Sequence, residues 1–198
     1  GVVGANGIGQ VHLRELSKDP RVKSIYVAGK VFKRTLKICE TFNKNLGWNL
    51  QPIESIEEMA KKVDFVSICT PNETHLNLSK IFLKNNCYVL VEKPLFWKNN
   101  LKRAEVKSIC KSLFKNAEGR LTVNYPTSYF YEAIKNKIND YNEIQNFNFQ
   151  YHTTGNKIGN EIAIDLLPHA FSLLLKFISI KLVSNIKIES KQNFWKTK

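Results

Sequence analysis

The chain has 198 residues, 43% of them hydrophobic, which is enough for one large domain or two modest domains around a packed core. No apolar run is long enough to cross a bilayer and no signal peptide is visible, which argues against a membrane or secreted protein. The formal net charge of +13 raises nucleic acid and anionic small molecules as partners, but the lysines are scattered without a basic run, and we expect no nucleic-acid partner.

The first part of the chain, residues 1–118, alternates short β-rich runs with amphipathic helices. Asp64–Cys69 and Cys87–Val91 are nearly continuous apolar runs, as expected of parallel strands that are buried on both faces. This βαβ alternation predicts an α/β fold, a Rossmann-type doubly wound parallel sheet that binds a dinucleotide. In chain order, the predicted strands are residues 1–3, 24–28, 64–69 and 87–91, and the predicted helices are residues 8–17, 34–45, 55–62, a segment starting near 73, and 101–115.

The pattern changes after Gly119 to mixed strands and helices without the earlier alternation. We therefore assign residues 119–198 to a partial α+β domain for substrate binding or oligomerisation. Its predicted strands are residues 121–124, 144–151 and 182–189, and its predicted helices are residues 132–139 and a segment after Pro168.

Cysteine usage indicates a reducing environment. The four cysteines lie inside predicted strands and helices, and their spacing is unlike that of metal ligands. We expect reduced core residues, no metal site and a cytoplasmic protein. These residues are Cys39, Cys69, Cys87 and Cys110.

The first motif is the turn Gly4–Gly9, with the sequence Gly-Ala-Asn-Gly-Ile-Gly, between a strand and a helix. This is the setting of a dinucleotide-binding fingerprint, in which the helix N-terminus faces a pyrophosphate. Asn6 stands in place of the second glycine; asparagine tolerates left-handed backbone geometry, and Gly7 adds freedom beside it. The residues predicted to contact the cofactor here are Gly4, Asn6, Gly7, Ile8 and Gly9.

The end of the second strand bears on the choice between NAD and NADP. An acid about twenty residues past the glycines would bind the ribose of NAD, but Gly29 occupies that place. Lys30, Lys33 and Arg34 cluster here instead, which favours a 2′-phosphate and hence NADP. The alternative is that these are ordinary solvated cations on a lysine-rich chain.

Polar residues follow two further strands. Thr70 and Pro71 end one strand, with Asn72 as the predicted N-cap of the next helix and His75 in its first turn. Such a histidine, taken alone, is more often a surface or packing residue than a catalyst. The next strand ends at Glu92–Pro94, where the proline takes the chain out of the sheet.

Lys93 therefore lies at the carboxyl end of a strand, the place where open α/β sheets bind ligands. Farther along, Asp165 and His169 are four residues apart, so a helix puts them on one face. Pro168 suits the first turn of that helix. An Asp beside a His can orient the imidazole for proton transfer, although the pattern taken alone favours a capping Asp and a helix-start His.

Together these motifs resemble the Gfo/Idh/MocA family of nicotinamide-dependent oxidoreductases. The resemblance implies NADP or NAD as cofactor, with further contacts from Thr70, Pro71, Asn72, His75, Glu92 and Lys93. For catalysis it implies Lys93 polarising or deprotonating the reacting hydroxyl, His169 as main acid/base, and Asp165 supporting it or binding substrate. It also implies a sugar-like small-molecule substrate, and homo-oligomers for the full-length protein. The matching residues are Gly4–Gly9, Thr70, Pro71, Asn72, His75, Glu92, Lys93, Pro94, Asp165 and His169, with Asn124 and Tyr125 as a looser match.

The implied activity is hydride transfer between nicotinamide and a secondary alcohol of a sugar, cyclitol or nucleotide-sugar. An alternative is a cofactor-binding sensor or regulator of the same fold without catalysis. A basic nucleic-acid binder on a Rossmann scaffold is the third hypothesis. Because relatives of this family continue well beyond the Asp-x-x-x-His segment, we expect a fragment or a degenerate protein that folds poorly alone.

Overall fold

The computed structural model describes residues 1–98, 100–137 and 160–177. The chain divides into two compact units, Gly1–Asn124 and Tyr125–Lys198. The domain limits drawn from the sequence, 1–118 and 119–198, stay a prediction. Among the described residues, no helix combines the length and the apolar character that crossing a membrane requires.

The first unit is a parallel sheet of six strands flanked by helices. Its strands are β1 Val2–Val3, β2 Ile25–Ala28, β3 Leu50–Pro52, β4 Phe65–Ile68, β5 Tyr88–Glu92 and β6 Leu121–Asn124. Its helices are α1 Ile8–Lys18, α2 Phe32–Leu46, α3 Ile56–Ala60, α4 Asn72–Lys84 and α5 Arg103–Ala117. The strand order is β3-β2-β1-β4-β5-β6, which confirms the doubly wound α/β prediction.

The core lies on both faces of this sheet. One apolar cluster gathers Val2, Leu13 and Cys39 beside β1 and β2, and a second gathers residues such as Phe82 and Val91 around β4 and β5. Burial on both faces explains why the central strands read as nearly continuous apolar runs. All four cysteines are free thiols, and Cys39 and Cys87 are buried.

Two strands differ from the sequence interpretation. Leu121–Asn124, assigned from the sequence to the second part of the chain, is β6 of the first sheet and pairs with β5 in parallel. Helix α5 forms the crossover between β5 and β6, so the βαβ alternation continues one strand further than predicted. The short edge strand β3, which pairs with β2, was not predicted.

Helix α4 also begins differently from its prediction. Asn72 is its first residue and Pro71 occupies the N-cap position, so the interpretation of Asn72 as N-cap is wrong. Pro71 has extended backbone angles and can precede a helix, and no side chain caps this end. The predicted capping residue Ser55 does accept a hydrogen bond from the Glu58 amide, at 3.1 Å.

The described part of the second unit contains α6 Pro126–Ile134, a 3₁₀ turn Lys135–Lys137 and α7 Asn160–Leu174. Pro168 lies inside α7, so its predicted place in the first turn is wrong. The strands predicted at residues 144–151 and 182–189 lie outside the described residues.

Candidate active site

The glycine turn joins β1 to α1 with no room for a side chain at Gly4 or Gly9. A Cβ on Gly9 would lie 1.8 Å from the Gly4 carbonyl oxygen, and a Cβ on Gly4 would lie 2.8 Å from the Cys69 carbonyl oxygen. The positive φ of this turn's second half falls on Gly7, at 51°, and not on Asn6. The left-handed role considered for Asn6 is therefore wrong, because the positive φ falls on the neighbouring glycine, which has no Cβ to clash.

The N-terminus of α1 is open toward an anion. Its N-cap is Gly7, no side chain caps it, and its first turn contains no acid. Asn6 and Ile8 are exposed at this end. Because a helix N-terminus carries partial positive charge, this cradle of bare backbone fits a pyrophosphate.

The end of β2 is also free of acids. A Cβ on Gly29 would lie 2.7 Å from the Thr35 hydroxyl, so the fold leaves little room for a carboxylate at this place. The N-terminus of α2 has Val31 as N-cap without a side-chain bond and no acid in its first turn. Lys30, Lys33 and Arg34 are exposed around it.

His75 connects the two loops that follow β4 and β5. Its ring nitrogens lie 2.7 Å from the Thr70 carbonyl oxygen and 2.8 Å from the Pro94 carbonyl oxygen. The side chain is 1% exposed, and the Lys93–Pro94 peptide bond is cis. Main-chain oxygens contact both ring nitrogens, so His75 positions the two strand ends by holding their loops together.

A polar network that the sequence analysis missed lies between α1 and the sheet. His12 Nε2 lies 3.0 Å from Glu92 Oε1, and His12 Nδ1 lies 2.5 Å from the Ser67 hydroxyl. Asn124 Nδ2 donates to the same Glu92 oxygen at 2.6 Å. The sequence signal that could have revealed this network is the alternation of side chains along the strands. By that alternation Ser67, Glu92 and Asn124 fall on one face of neighbouring strands, the face that α1 covers.

The network shifts both titrating groups toward their charged forms. The nearby Cys69 sulfur and the hydrogen-bonded Glu92 carboxylate raise the pKa of His12 to about 9, against the opposing effect of burial. Burial favours a higher pKa for Glu92, but its bonds with His12 and Asn124 outweigh it and lower that pKa. At neutral pH, the pair is therefore an imidazolium beside a carboxylate.

In the second unit, Asp165 and His169 both lie on α7, one helical turn apart. His169 is 6% exposed, and its carbonyl oxygen accepts hydrogen bonds from Thr127 at 2.8 Å and from Ser172 at 3.0 Å. The Thr127 and Ser172 hydroxyls also lie 2.8 Å apart. These bonds anchor α7 to the start of α6 beside the histidine.

The predicted site residues of the first unit converge on one edge of the sheet. The glycine turn, Thr70–Pro71 and Glu92–Lys93 follow β1, β4 and β5, which are neighbours, and Lys30 follows β2 next to β1. Parallel strands bring their carboxyl ends to the same edge, where such sheets bind nucleotides. The bare turn, the uncapped helix and the nearby cations fit a dinucleotide.

Comparison with known proteins agrees with this geometry. The chain is 26% identical over 142 residues to inositol 2-dehydrogenase from Rhizobium meliloti (strain 1021), a match that covers 71% of this chain and 40% of that protein. It thus spans about two fifths of the length of its curated relative.

Solved structures give the same result for the fold. A dehydrogenase from Clostridium difficile matches with a TM-score of 0.55 and 26% identity, over 68% of this chain and 42% of the other. The scyllo-inositol dehydrogenase from Lactobacillus casei with bound NAD(H) and scyllo-inositol matches with a TM-score of 0.52 and 17% identity, over 69% and 40% of the two chains. The second likeness concerns the fold alone.

The model of a protein family described as an oxidoreductase family with an NAD-binding Rossmann fold matches residues 1–125. This match covers more than half of the chain and spans every residue of the converging strand ends. The chain belongs to the Gfo/Idh/MocA oxidoreductase family.

Proposed function

We propose that this chain supplies the cofactor domain of an NAD(P)-dependent oxidoreductase acting on a secondary alcohol of a sugar, cyclitol or nucleotide-sugar. The observation that carries the proposal is the convergence of the glycine turn, Thr70–Pro71 and Glu92–Lys93 at neighbouring strand ends. The curated relative, named as an inositol dehydrogenase, supports a polyhydroxylated substrate. Cytoplasmic location and a homo-oligomer for the full-length protein stay predictions.

The cofactor binds along the carboxyl edge of the sheet in this proposal. Main-chain amides of the turn and the N-terminus of α1 hold the pyrophosphate, with Asn6 and Ile8 beside it. Thr70, Pro71 and Asn72 border the site from β4, with His75 behind them. When bound, the nicotinamide ring accepts or delivers the hydride.

We assign a preference for NADP to the end of β2. The crowding of Gly29 by Thr35 disfavours the ribose-binding acid that NAD specificity uses. Lys30 and Arg34, at an uncapped helix N-terminus, provide charge for a 2′-phosphate. Tighter binding of NADPH than NADH, with the difference removed in K30A/R34A, supports this preference; equal binding contradicts it.

Proton transfer in this proposal uses three residues that the family resemblance implies. Lys93 polarises the reacting hydroxyl or takes its proton, and His169 is the main acid/base. Asp165, one turn earlier on α7, orients the imidazole or binds substrate. Each role rests on residue type and position in the motif.

The test uses binding and turnover separately. NADPH and NADH are titrated into the full-length protein, and polyols and nucleotide-sugars are then assayed with NADP⁺ and NAD⁺. We expect oxidation of at least one polyol, with K93A and H169A each lowering kcat about 100-fold or more while the cofactor still binds. Cofactor binding without any oxidation supports the sensor alternative, and no binding contradicts the proposal.

A further inference from the structure

The polar network beneath the candidate site links four elements of the first unit. It runs from Asn124 on β6 to Glu92 on β5, then to His12 on α1 and Ser67 on β4. The Ser67 hydroxyl lies 3.8 Å from the Cys69 sulfur, just past the end of β4. The network therefore joins three neighbouring strands, β6, β5 and β4, through the helix that follows the glycine turn.

Each proton donor in this network has an acceptor when the His12 ring carries both protons. Nε2–H then donates to the Glu92 carboxylate, and Nδ1–H donates to the Ser67 hydroxyl. The Ser67 proton remains for the Cys69 sulfur. Asn124 supplies the second bond to Glu92. The side chains of His12 and Glu92 are 13% and 10% exposed, so little water competes for these bonds.

Stability alone does not explain a charged pair at this position. Removing two charges from water is costly, and apolar replacements of buried ion pairs are often neutral or stabilising. The location of the pair gives a more specific reason. Glu92 directly precedes Lys93, while His12 lies in the second turn of the helix whose N-terminus is the glycine turn.

We propose that His12 is a positioning residue, whose ion pair with Glu92 couples the glycine turn to the Lys93 strand end, so that the cofactor binds more tightly when the pair is intact. This inference rests on the proposed function, because it concerns the same site. By linkage, a bound cofactor holds the proton on His12 more firmly. The groups facing the ring are Glu92, Cys69 and Ser67, and Lys93 is the cation that acts on Glu92.

The experiment compares cofactor affinity in H12Q, E92Q and the double variant, with E15Q as the matched control. Glu15 lies on the same helix, but it is exposed and bonds only to Arg14 and Lys18 among the described contacts. We expect Kd for NADPH and NADH to rise about fivefold or more in each single variant, the lower end of usual coupling between sites. The double variant should bind about as weakly as a single one, since both remove the same pair.

A pH series separates positioning from simple loss of stability. In the wild type, affinity should fall as pH rises through about 9, the pKa of His12, and this step should be missing in H12Q and retained in E15Q. C69S should still show a step, but at lower pH, because the sulfur helps to raise the pKa of His12; loss of the step in C69S would assign it to the thiol. Circular dichroism and cooperative melting establish that each variant is folded. If H12Q does not fold, E92Q carries the test, because glutamine has nearly the same shape as the glutamate that it replaces.

The outcomes distinguish this inference from the proposed function. Unchanged Kd in folded H12Q and E92Q, or an identical pH step in H12Q, overturns the positioning role and leaves the proposed function standing. A wild type that binds neither NADPH nor NADH overturns the proposed function and the coupling with it.

Discussion

His75 Nδ1 lies 2.8 Å from the carbonyl oxygen of Pro94, nineteen residues further along the chain. The other ring nitrogen lies 2.7 Å from the Thr70 carbonyl oxygen, so one buried side chain fixes the loops after β4 and β5 to each other. Lys93 is adjacent to one of these contacts. A histidine that the sequence associates with the cofactor is thus internal to the protein.

The first prediction concerns this connection. H75F removes the contacts of both ring nitrogens and leaves at least one part-buried carbonyl oxygen without a donor, and we expect it to lower the free energy of unfolding by about 2 kcal/mol. Cofactor affinity should fall as well, because both loops border the site. Urea unfolding and NADPH titration measure the two effects. N77A, on an exposed position of the same helix, should change neither; equal results for both variants would contradict the role of His75.

The second prediction concerns the glycine turn. In G9A the new Cβ would lie 1.8 Å from the Gly4 carbonyl oxygen, so the turn must move away from α1. We expect a loss of about 3 kcal/mol or more in unfolding free energy. G47A is the matched control: its Cβ meets nothing within 4 Å, and its left-handed backbone, with φ 66° and ψ 23°, costs only about 1 kcal/mol. Similar stability for the two variants would argue against the close packing of β1 and α1.

Much of this fold could be predicted because its signals are local. The apolar runs of β4 and β5 and the periodicity of α1, α2 and α5 lie within short stretches of sequence. Strand β3 has three residues, and its pairing with β2 is set by tertiary contacts. The membership of β6 also depends on its partner β5, since a strand's sequence does not specify which sheet it joins.

The candidate site shows the same division between local and distant information. Gly4–Gly9 and Lys93 follow strands directly, so their place at the sheet edge could be predicted. His12 meets Glu92 across eighty positions of sequence, and no local pattern joins them. The occupied ring of His75 was equally hidden, because both of its acceptors are main-chain carbonyls that carry no sequence signal.

The third prediction is the pH dependence of stability. The pKa of His12 rises from 6.5 to about 9 on folding, so its contribution is complete below pH 6.5 and is lost as pH rises through about 9. The pKa of Glu92 is lowered, so its contribution is present above its unfolded pKa of 4.5 and is lost as pH falls through the lower folded value. The pair therefore stabilises the fold most between about pH 5 and 6.5.

The variant H12Q tests this window. Because residual solvent still screens the pair, we expect His12 to contribute about 1–2 kcal/mol, less than the full linkage energy. The difference in unfolding free energy between wild type and H12Q should be largest near pH 6 and should shrink toward pH 9.5. Urea titrations at four pH values measure it, with E15Q as the surface control. A difference that stays constant across this range would contradict a charged His12.

The fourth prediction concerns edge strand β3. The Asn43 side chain bonds to both main-chain groups of Leu50: its Nδ2 donates to the carbonyl at 2.9 Å, and its Oδ1 accepts from the amide at 2.8 Å. N43A removes both bonds, and we expect a loss of about 1–2 kcal/mol and faster hydrogen exchange at the Leu50 amide. T41A loses only a bond to the Lys37 carbonyl on an exposed face of α2 and should leave this exchange unchanged. If N43A and T41A exchange at the same rate at Leu50, the edge strand is held by its pairing with β2 and not by Asn43.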